Sequence, residues 1–193
     1  RMEIVSFIKR FFELVEAETH SHLRPDKDIK DNQIYQTIIL RSSKSNDCYL
    51  IVAILHLKSG PLQRSKRYRQ SLEIIKVIKK KKELLECKQN AKVGVIIAGD
   101  LNDLPSSSPL NNFLNKNNNL NLKSAFHDEP FTVYHKFPLI FGLIFPFKGT
   151  IDYILHSTNL VVAKKLVSPR DEEVGNRGLL TEKFPSDHLN LFC

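Results

Sequence analysis

The stretch Val93-Gly94-Val95-Ile96-Ile97-Ala98-Gly99-Asp100-Leu101-Asn102-Asp103-Leu104-Pro105 decides the fold. A continuous apolar run, Val93 to Ala98, passes straight into polar residues. Such a run reads as a short strand buried on both faces. Gly99 lets the backbone turn closely, and Asp100 and Asn102 follow at the strand's C-terminal end. That end is where α/β sheets usually carry their chemistry. Two residues apart in extended chain, the two side chains point the same way. A carboxylate beside a carboxamide suits a phosphate, a water or a hard cation. Taken by themselves, Gly, Asp and Asn also suit a plain turn. Two later stretches tip the reading towards a site. They are Gly149-Thr150-Ile151-Asp152-Tyr153-Ile154-Leu155 and Pro185-Ser186-Asp187-His188-Leu189, joined by His56 at the end of an earlier apolar run.

A chain of 193 residues that is 41% hydrophobic can bury a real core as one globular domain, 1–193. The formal net charge of +8 favours polyanionic partners such as nucleic acid or nucleotide phosphates, and would also suit an acidic membrane surface. Cys48, Cys87 and Cys193 show no paired spacing. A reducing intracellular compartment is therefore expected, the cytoplasm first with nucleus or mitochondrion as alternatives, and neither a disulfide nor a zinc site. No run reaches the ~18 apolar residues of a membrane span, so no stable membrane insertion is expected. Phe137 to Phe147 is apolar but short, and Pro138 and Pro146 interrupt it. The start, Arg1-Met2-Glu3-Ile4, lacks the pattern of a secretory leader and reads as part of a longer chain.

Going outward from the central run, Ile4 to Glu18 fits a strand or an amphipathic helix, with Phe7 to Phe11 strand-like. His20 to Asp31 is polar, contains Pro25 and reads as a loop. His20 and His22 are taken as exposed loop residues rather than ligands, because no carboxylate or thiolate set accompanies them. Asp31 to Ser42 and Asp47 to His56 read as a hairpin across Ser42 to Asp47, which brings Asn32 and His56 to the same end. Arg64 to Gln89 has helical periodicity, with Leu72, Ile75, Ile78 and Leu85 on one face. Its other face carries Lys76, Lys79, Lys80, Lys81, Lys82 and Lys88. A nucleic-acid contact is one reading of that face. A solvated surface is favoured, because no aromatics are interleaved for base stacking. Ser106 to Pro109 resembles a helix cap before a short helix, Leu110 to Leu114. The seven Asn between Asn111 and Asn121 look compositional. Phe131 to Tyr134, Thr150 to His156, Asn159 to Val167 and Leu189 to Phe192 read as strands. The class is α/β, a sandwich of strands with one long helix.

Leu55-His56-Leu57-Lys58, Arg69-Gln70, Gly99-Asp100-Leu101-Asn102, Gly149-Thr150-Ile151-Asp152-Tyr153-Ile154 and Pro185-Ser186-Asp187-His188-Leu189 occur in an order that resembles the endonuclease/exonuclease/phosphatase superfamily. Within it the chain is most similar to the nocturnin, Angel and deadenylase branch, over essentially its whole length. The resemblance implies a four-layer α/β sandwich, DNase I-like, lacking its N-terminal part. It implies a Mg²⁺-dependent phosphoesterase acting on RNA 3′ ends or on a nucleotide such as NADP(H). It also implies roles. His188 is the catalytic histidine, with Asp152 accepting its ring N–H. Asp100 polarises the attacking water or binds metal, Asn102 donates to a phosphate oxygen, and Asp187 helps to bind metal. His56 donates to the phosphate, and Asn32 and Lys58 line the same pocket.

The departures are specific. The family's metal-binding Glu has no match, since Glu13, Glu16 and Glu18 do not stand in its context. Gly60 stands where the NADP-directed members carry a basic residue. The alternative is accordingly a catalytically incomplete domain serving as a binding or scaffolding module, completed by a missing N-terminal half or a partner chain.

Overall fold

The computed structural model describes residues 10–23, 30–126, 131–138, 144–166, 168–175, 178–179 and 181–193. The central run is strand β4, Lys92–Asp100. It pairs in parallel with β3, Cys48–His56, and antiparallel with β8, Asp152–Ser157. Strands β1 (Phe12–Leu23) and β2 (Lys30–Ser42) extend one side, and β5 (Leu122–Ser124) closes the other, in the order β1-β2-β3-β4-β8-β5. Two further strands, β6 (Val133–Pro138) and β7 (Ile144–Gly149), form a separate antiparallel ribbon. The Phe137 to Phe147 stretch is thus the far part of a hairpin, of which residues 139–143 lie outside the described residues.

The parallel pair needs a crossover, and helix α1, Arg64–Gln89, supplies it. Its Ile74, Ile75, Ile78 and Leu85 are buried in one core with Ile51, Ala53, Leu55, Val93, Val95 and Ile97 of the sheet. Ile75, Ile78 and Leu85 behave as the periodicity requires. Leu72 does not: it is 44% exposed, and Ile74 takes the inward position. The central strand also departs from its reading. Val93, Val95 and Ile97 are buried against the helix, whereas Ile96 and Ala98 on the other face are only half-buried. Ile34 and Ile54 on neighbouring strands stand about half exposed, at 51% and 47%. The helix-free face of the sheet is therefore apolar and open, except where the C-terminal segment crosses it.

Three expectations are corrected. His20 to Leu23 belong to β1 rather than a loop, because the strand continues its pairing with β2 as far as Leu23 and Lys30. Asn159 to Val167 forms no strand over the described residues 159–166, and Leu189 to Phe192 is irregular too. The C-terminal segment makes only an isolated bridge, His188 to Val133. Of the strand-like Phe7 to Phe11, residues 7–9 lie outside the described residues. Helix α2, Ser108–Leu114, begins as its sequence indicates, with the Ser107 hydroxyl accepting from the Leu110 N–H. A final short helix, α3, spans Asp171–Val174. Among the described residues no helix is long and apolar enough to cross a membrane.

Candidate active site

Strands β3 and β4 end in register, His56 opposite Asp100, and β8 begins at Asp152 opposite Asp100. Three of the singled-out residues thus lie in one row across three strands. Side chains alternate along a strand, so residues paired in one row share a face of the sheet. Here that is the open one. Gly99 makes the row possible. Its φ is +144°, and a Cβ there would stand 1.8 Å from the Leu55 carbonyl oxygen, so only glycine lets β4 lie this close to β3.

His188 comes from the other end of the chain and is brought in by backbone bonds. The Leu189 N–H donates to the Thr132 carbonyl at 2.7 Å, and the Tyr134 N–H donates to the Asp187 carbonyl at 3.1 Å. This fixes the imidazole Nδ1 2.9 Å from Asp152 Oδ2. The same carboxylate oxygen accepts from the Thr132 hydroxyl at 2.7 Å. Thr132 Oγ1 in turn accepts from the backbone N–H groups of Ile151 and Asp152, each at 3.0 Å. Thr132 is fully buried and clamps Asp152 from behind. No sequence signal distinguished it from any other strand threonine.

Asn102 does not sit as extended chain would put it. Its φ is +51°, and its N–H turns back to Asp100 Oδ1 at 2.6 Å. Its side-chain amide donates both to Asp100 Oδ2 at 2.9 Å and to the Leu57 carbonyl at 3.1 Å. Both amide hydrogens are therefore spent on holding Asp100 and the end of β3, and neither is left for a phosphate. His56 is exposed, with Nε2 3.5 Å from Asp100 Oδ2. Lys58 is half-buried, and its N–H donates to Gln70 Oε1 at 3.0 Å. Asn32 lies in β2, its side chain outside the described residues. Asp187 is adjacent to His188 but stays out of the cluster, its Oδ2 facing His135 Nδ1 at 3.3 Å.

Behind the site lies an arginine that the sequence reading missed. Arg67 is buried, with Nε 2.9 Å from Asp103 Oδ2. Its Nη1 donates to the carbonyls of Lys58 at 3.0 Å and Gly60 at 2.7 Å. It staples the loop after β3 to the loop after β4. Gln70 lies inside with it, bonded to Lys58 and Gln33, whereas Arg69 faces outward.

Burial raises the Asp100 carboxyl above its ordinary value and the charge of Asp152 adds to this, against lowering by the Asn102 N–H and by His56 and His188. For His188, burial works against the imidazolium. The hydrogen bond and charge of Asp152, with Asp100 and Asp187, outweigh it and leave the ring above its ordinary value. Two carboxylates crowded together in partial burial favour a cation. Asp100, Asp152 and His188 each place a ligand atom within 4.8 Å of the others, and they are the one such group among the described residues. With oxygen donors from both aspartates, the set fits a hard divalent ion. A cleft of ≈ 400 Å³ opens beside it, lined among others by Ala98, Ile154, Leu189 and Leu191.

The strand-end aspartates Asp100 and Asp152 and the Ser186-Asp187-His188 segment all fall inside one family match. Residues 12–188 match the model of the Endonuclease/Exonuclease/phosphatase family, and the chain belongs to that family. It is 27% identical to mouse nocturnin over 198 residues, covering 97% of this chain and 42% of that protein. To human nocturnin it is 28% identical, covering 86% of this chain and 37% of the relative. The chain thus spans about two-fifths of the length of the curated relatives it matches. Two solved structures share the fold. The human nocturnin catalytic domain with bound sulfate superposes with TM-score 0.66 at 23% identity, covering 95% of this chain and 59% of that one. ANGEL2, a 2′,3′-cyclic phosphatase captured with adenosine-2′,3′-vanadate, gives 0.71 at 17%, covering 94% and 66%.

Proposed function

We propose that this chain supplies the histidine-bearing part of a divalent-metal-dependent phosphoesterase acting on RNA 3′ ends or on a small nucleotide phosphoester. The observation that carries this is the meeting of Asp100, Asp152 and His188, with one ligand atom from each within 4.8 Å of the others at the mouth of a cleft. Hydrolysis at phosphorus forms a bond from water oxygen to phosphorus and breaks the ester P–O bond, the departing alcohol oxygen taking up a proton from solvent. Asp100, beside His188 at the strand end, would polarise the attacking water and take its proton. The Asp152 carboxylate holds Nδ1 of His188, so Nε2 is the nitrogen presented to substrate. As the imidazolium, favoured here beyond its ordinary range, His188 donates from Nε2 to a phosphate oxygen as charge builds there. Asp100 and Asp152 would hold the Mg²⁺ ion, which when bound supplies positive charge to the phosphate oxygens and acidity to water. Asn102 and Thr132 are positioning residues, acting through the two aspartates they hold.

The test is phosphate release from NADPH, opening of adenosine 2′,3′-cyclic phosphate and shortening of a 3′ oligoadenylate, each with Mg²⁺ and with chelator. The second substrate enters because ANGEL2 is a 2′,3′-cyclic phosphatase. Hydrolysis of any of the three that chelator abolishes supports the proposal. Inertness towards all three would sink it in favour of a binding or scaffolding module.

A further inference from the structure

Helix α1 carries two kinds of positive charge, and the structure treats them differently. The lysine-rich middle is partly tied down: Lys81 pairs with Glu16 and Glu18, and Lys82 pairs with Glu86 at 2.7 Å. In the arginine-rich first turns Arg67 is held by Asp103, whereas Arg64 and Arg69 are not paired with a carboxylate among the described residues. Arg64, Ser65, Tyr68 and Arg69 recur at helical spacing on one outward strip, while Arg67, Gln70 and Ser71 turn inward. The strip and Ser108 of α2 line a surface pocket of ≈ 480 Å³. Among the described residues neither Arg64 nor Arg69 has a carboxylate partner, and Tyr68 is 41% exposed. The lysine face lacks interleaved aromatics, but here an aromatic stands between two arginines.

The pocket is also at the right end of the molecule. β3 runs into the Asp100 row at His56, and only residues 57–63 separate that row from the first turn of α1. This connection is rigid where it meets the site. The Leu57 N–H donates to the Asp100 carbonyl at 2.9 Å, and Arg67 holds the carbonyls of Lys58 and Gly60. Lys58 lies on the loop between cleft and pocket.

We propose that the Arg64–Tyr68–Arg69 pocket binds single-stranded RNA upstream of the nucleotide held in the Asp100–Asp152–His188 cleft. The inference rests on the phosphoesterase reading and narrows it, selecting a polynucleotide over a lone nucleotide as the substrate the molecule is shaped to hold. Guanidinium groups grip phosphodiesters with paired N–H donors. A tyrosine face stacks a base without regard to sequence. The two serine hydroxyls offer partners for phosphate oxygens or a ribose 2′-hydroxyl.

The experiment measures anisotropy of a labelled oligoadenylate of about 20 nucleotides against salt, with hydrolysis of adenosine 2′,3′-cyclic phosphate assayed in parallel. The proteins are the full chain, Arg64→Ala/Arg69→Ala, Tyr68→Ala and a charge-matched control, Lys76→Ala/Lys80→Ala. The arginine pair should weaken RNA binding about tenfold and flatten the log–log salt slope by about 1.4. Tyr68→Ala should weaken it about fivefold with the slope kept. The control should bind as the unaltered chain does, and all four should handle the cyclic nucleotide alike. Unchanged RNA affinity in both pocket variants overturns the inference. So does an equal loss in the lysine control, which would mean diffuse charge, or failure of the unaltered chain to bind RNA at all. RNA binding lost in the pocket variants, with no hydrolysis by any protein, would keep the pocket and remove the phosphoesterase reading.

Discussion

Two histidine–carboxylate pairs in this molecule have nearly the same length. His22 Nδ1 lies 3.0 Å from Glu73 Oε2, and His188 Nδ1 lies 2.9 Å from Asp152 Oδ2. The first joins β1 to α1 deep in the protein. His22 is 1% exposed, its ring is 4.9 Å from that of Tyr35, and its Nε2 is buried without a hydrogen-bond partner. Tyr35 stacks at 4.7 Å on His20, whose Nε2 meets the Thr37 hydroxyl at 2.8 Å. Solvent reaches only the glutamate of that pair, which is 30% exposed, and not the imidazole. The second sits at a strand end, about one-third exposed on the histidine, with a second carboxylate beside it and a cleft in front. A histidine bonded to a carboxylate is therefore not in itself a site. Access and a third titratable group make the difference, and both come from where the strands stop.

The largest effect should come from exchanging the fates of the two histidines. His188→Ala should lower phosphoester hydrolysis by roughly 10²–10⁴-fold while moving the melting temperature little, because its surroundings are open. His22→Ala should do the reverse. It removes a fully buried ring and strands Glu73, a loss of about 2–4 kcal/mol or ~5–15 °C in melting temperature, with the folded fraction still active. Calorimetry and single-turnover rates on the two variants check both halves.

Next in size is Asp152→Asn. It keeps the shape but removes the acceptor that sets the imidazole tautomer, and a loss of roughly 10³-fold or more is expected. The His188 titration, followed by NMR, should shift down in this variant. A merely structural role for Asp152 would leave it in place. Thr132→Val is subtler. Losing the bond to Asp152 and leaving two backbone N–H groups unpaired should cost about 1–3 kcal/mol of stability, with hydrolysis reduced and the metal concentration needed for half-activity raised.

The smallest effect is in pH. Both Asp100 and His188 hold their protons more tightly folded than unfolded. Each contributes stability at pH below its unfolded pKa, and that contribution is lost as pH rises through the folded value. In chelator, the melting temperature should fall across the carboxylate range and again above the ordinary histidine range. Added Mg²⁺ should restore more at pH 8 than at pH 5, because a cation and a proton compete for the same oxygens. A melting temperature with no such dependence on pH and metal would remove the reason to place a cation at Asp100 and Asp152.

The open site was more legible in the sequence than the closed pair. Asp100, Asp152, His56 and His188 stand beside strand-ending or turn-forming residues, so their spacing carries the strand ends with it. The pairing of His188 with Asp152 came through the family resemblance, since 36 residues separate them. His22 was misread because the polar stretch around it looks like a loop. Only tertiary packing shows that β1 continues through it beneath α1. Thr132 and Arg67 were silent, because a buried threonine that clamps a carboxylate has the same local sequence as one that does not. The C-terminal Leu189 to Phe192 looked like a strand from its apolar residues. Its backbone instead makes scattered bonds, Leu189 to Thr132 and Leu166 to Phe192, which anchor His188 and leave no ladder.

The most direct measurement compares His188→Ala with Glu73→Gln in one Mg²⁺-dependent assay of oligoadenylate shortening and NADPH dephosphorylation, with the unaltered chain alongside. The account predicts hydrolysis by the unaltered chain, its loss in His188→Ala, and near-normal rates per folded molecule in Glu73→Gln. Equal rates in His188→Ala and the unaltered chain would contradict it, because the open histidine–aspartate pair would then do no chemistry.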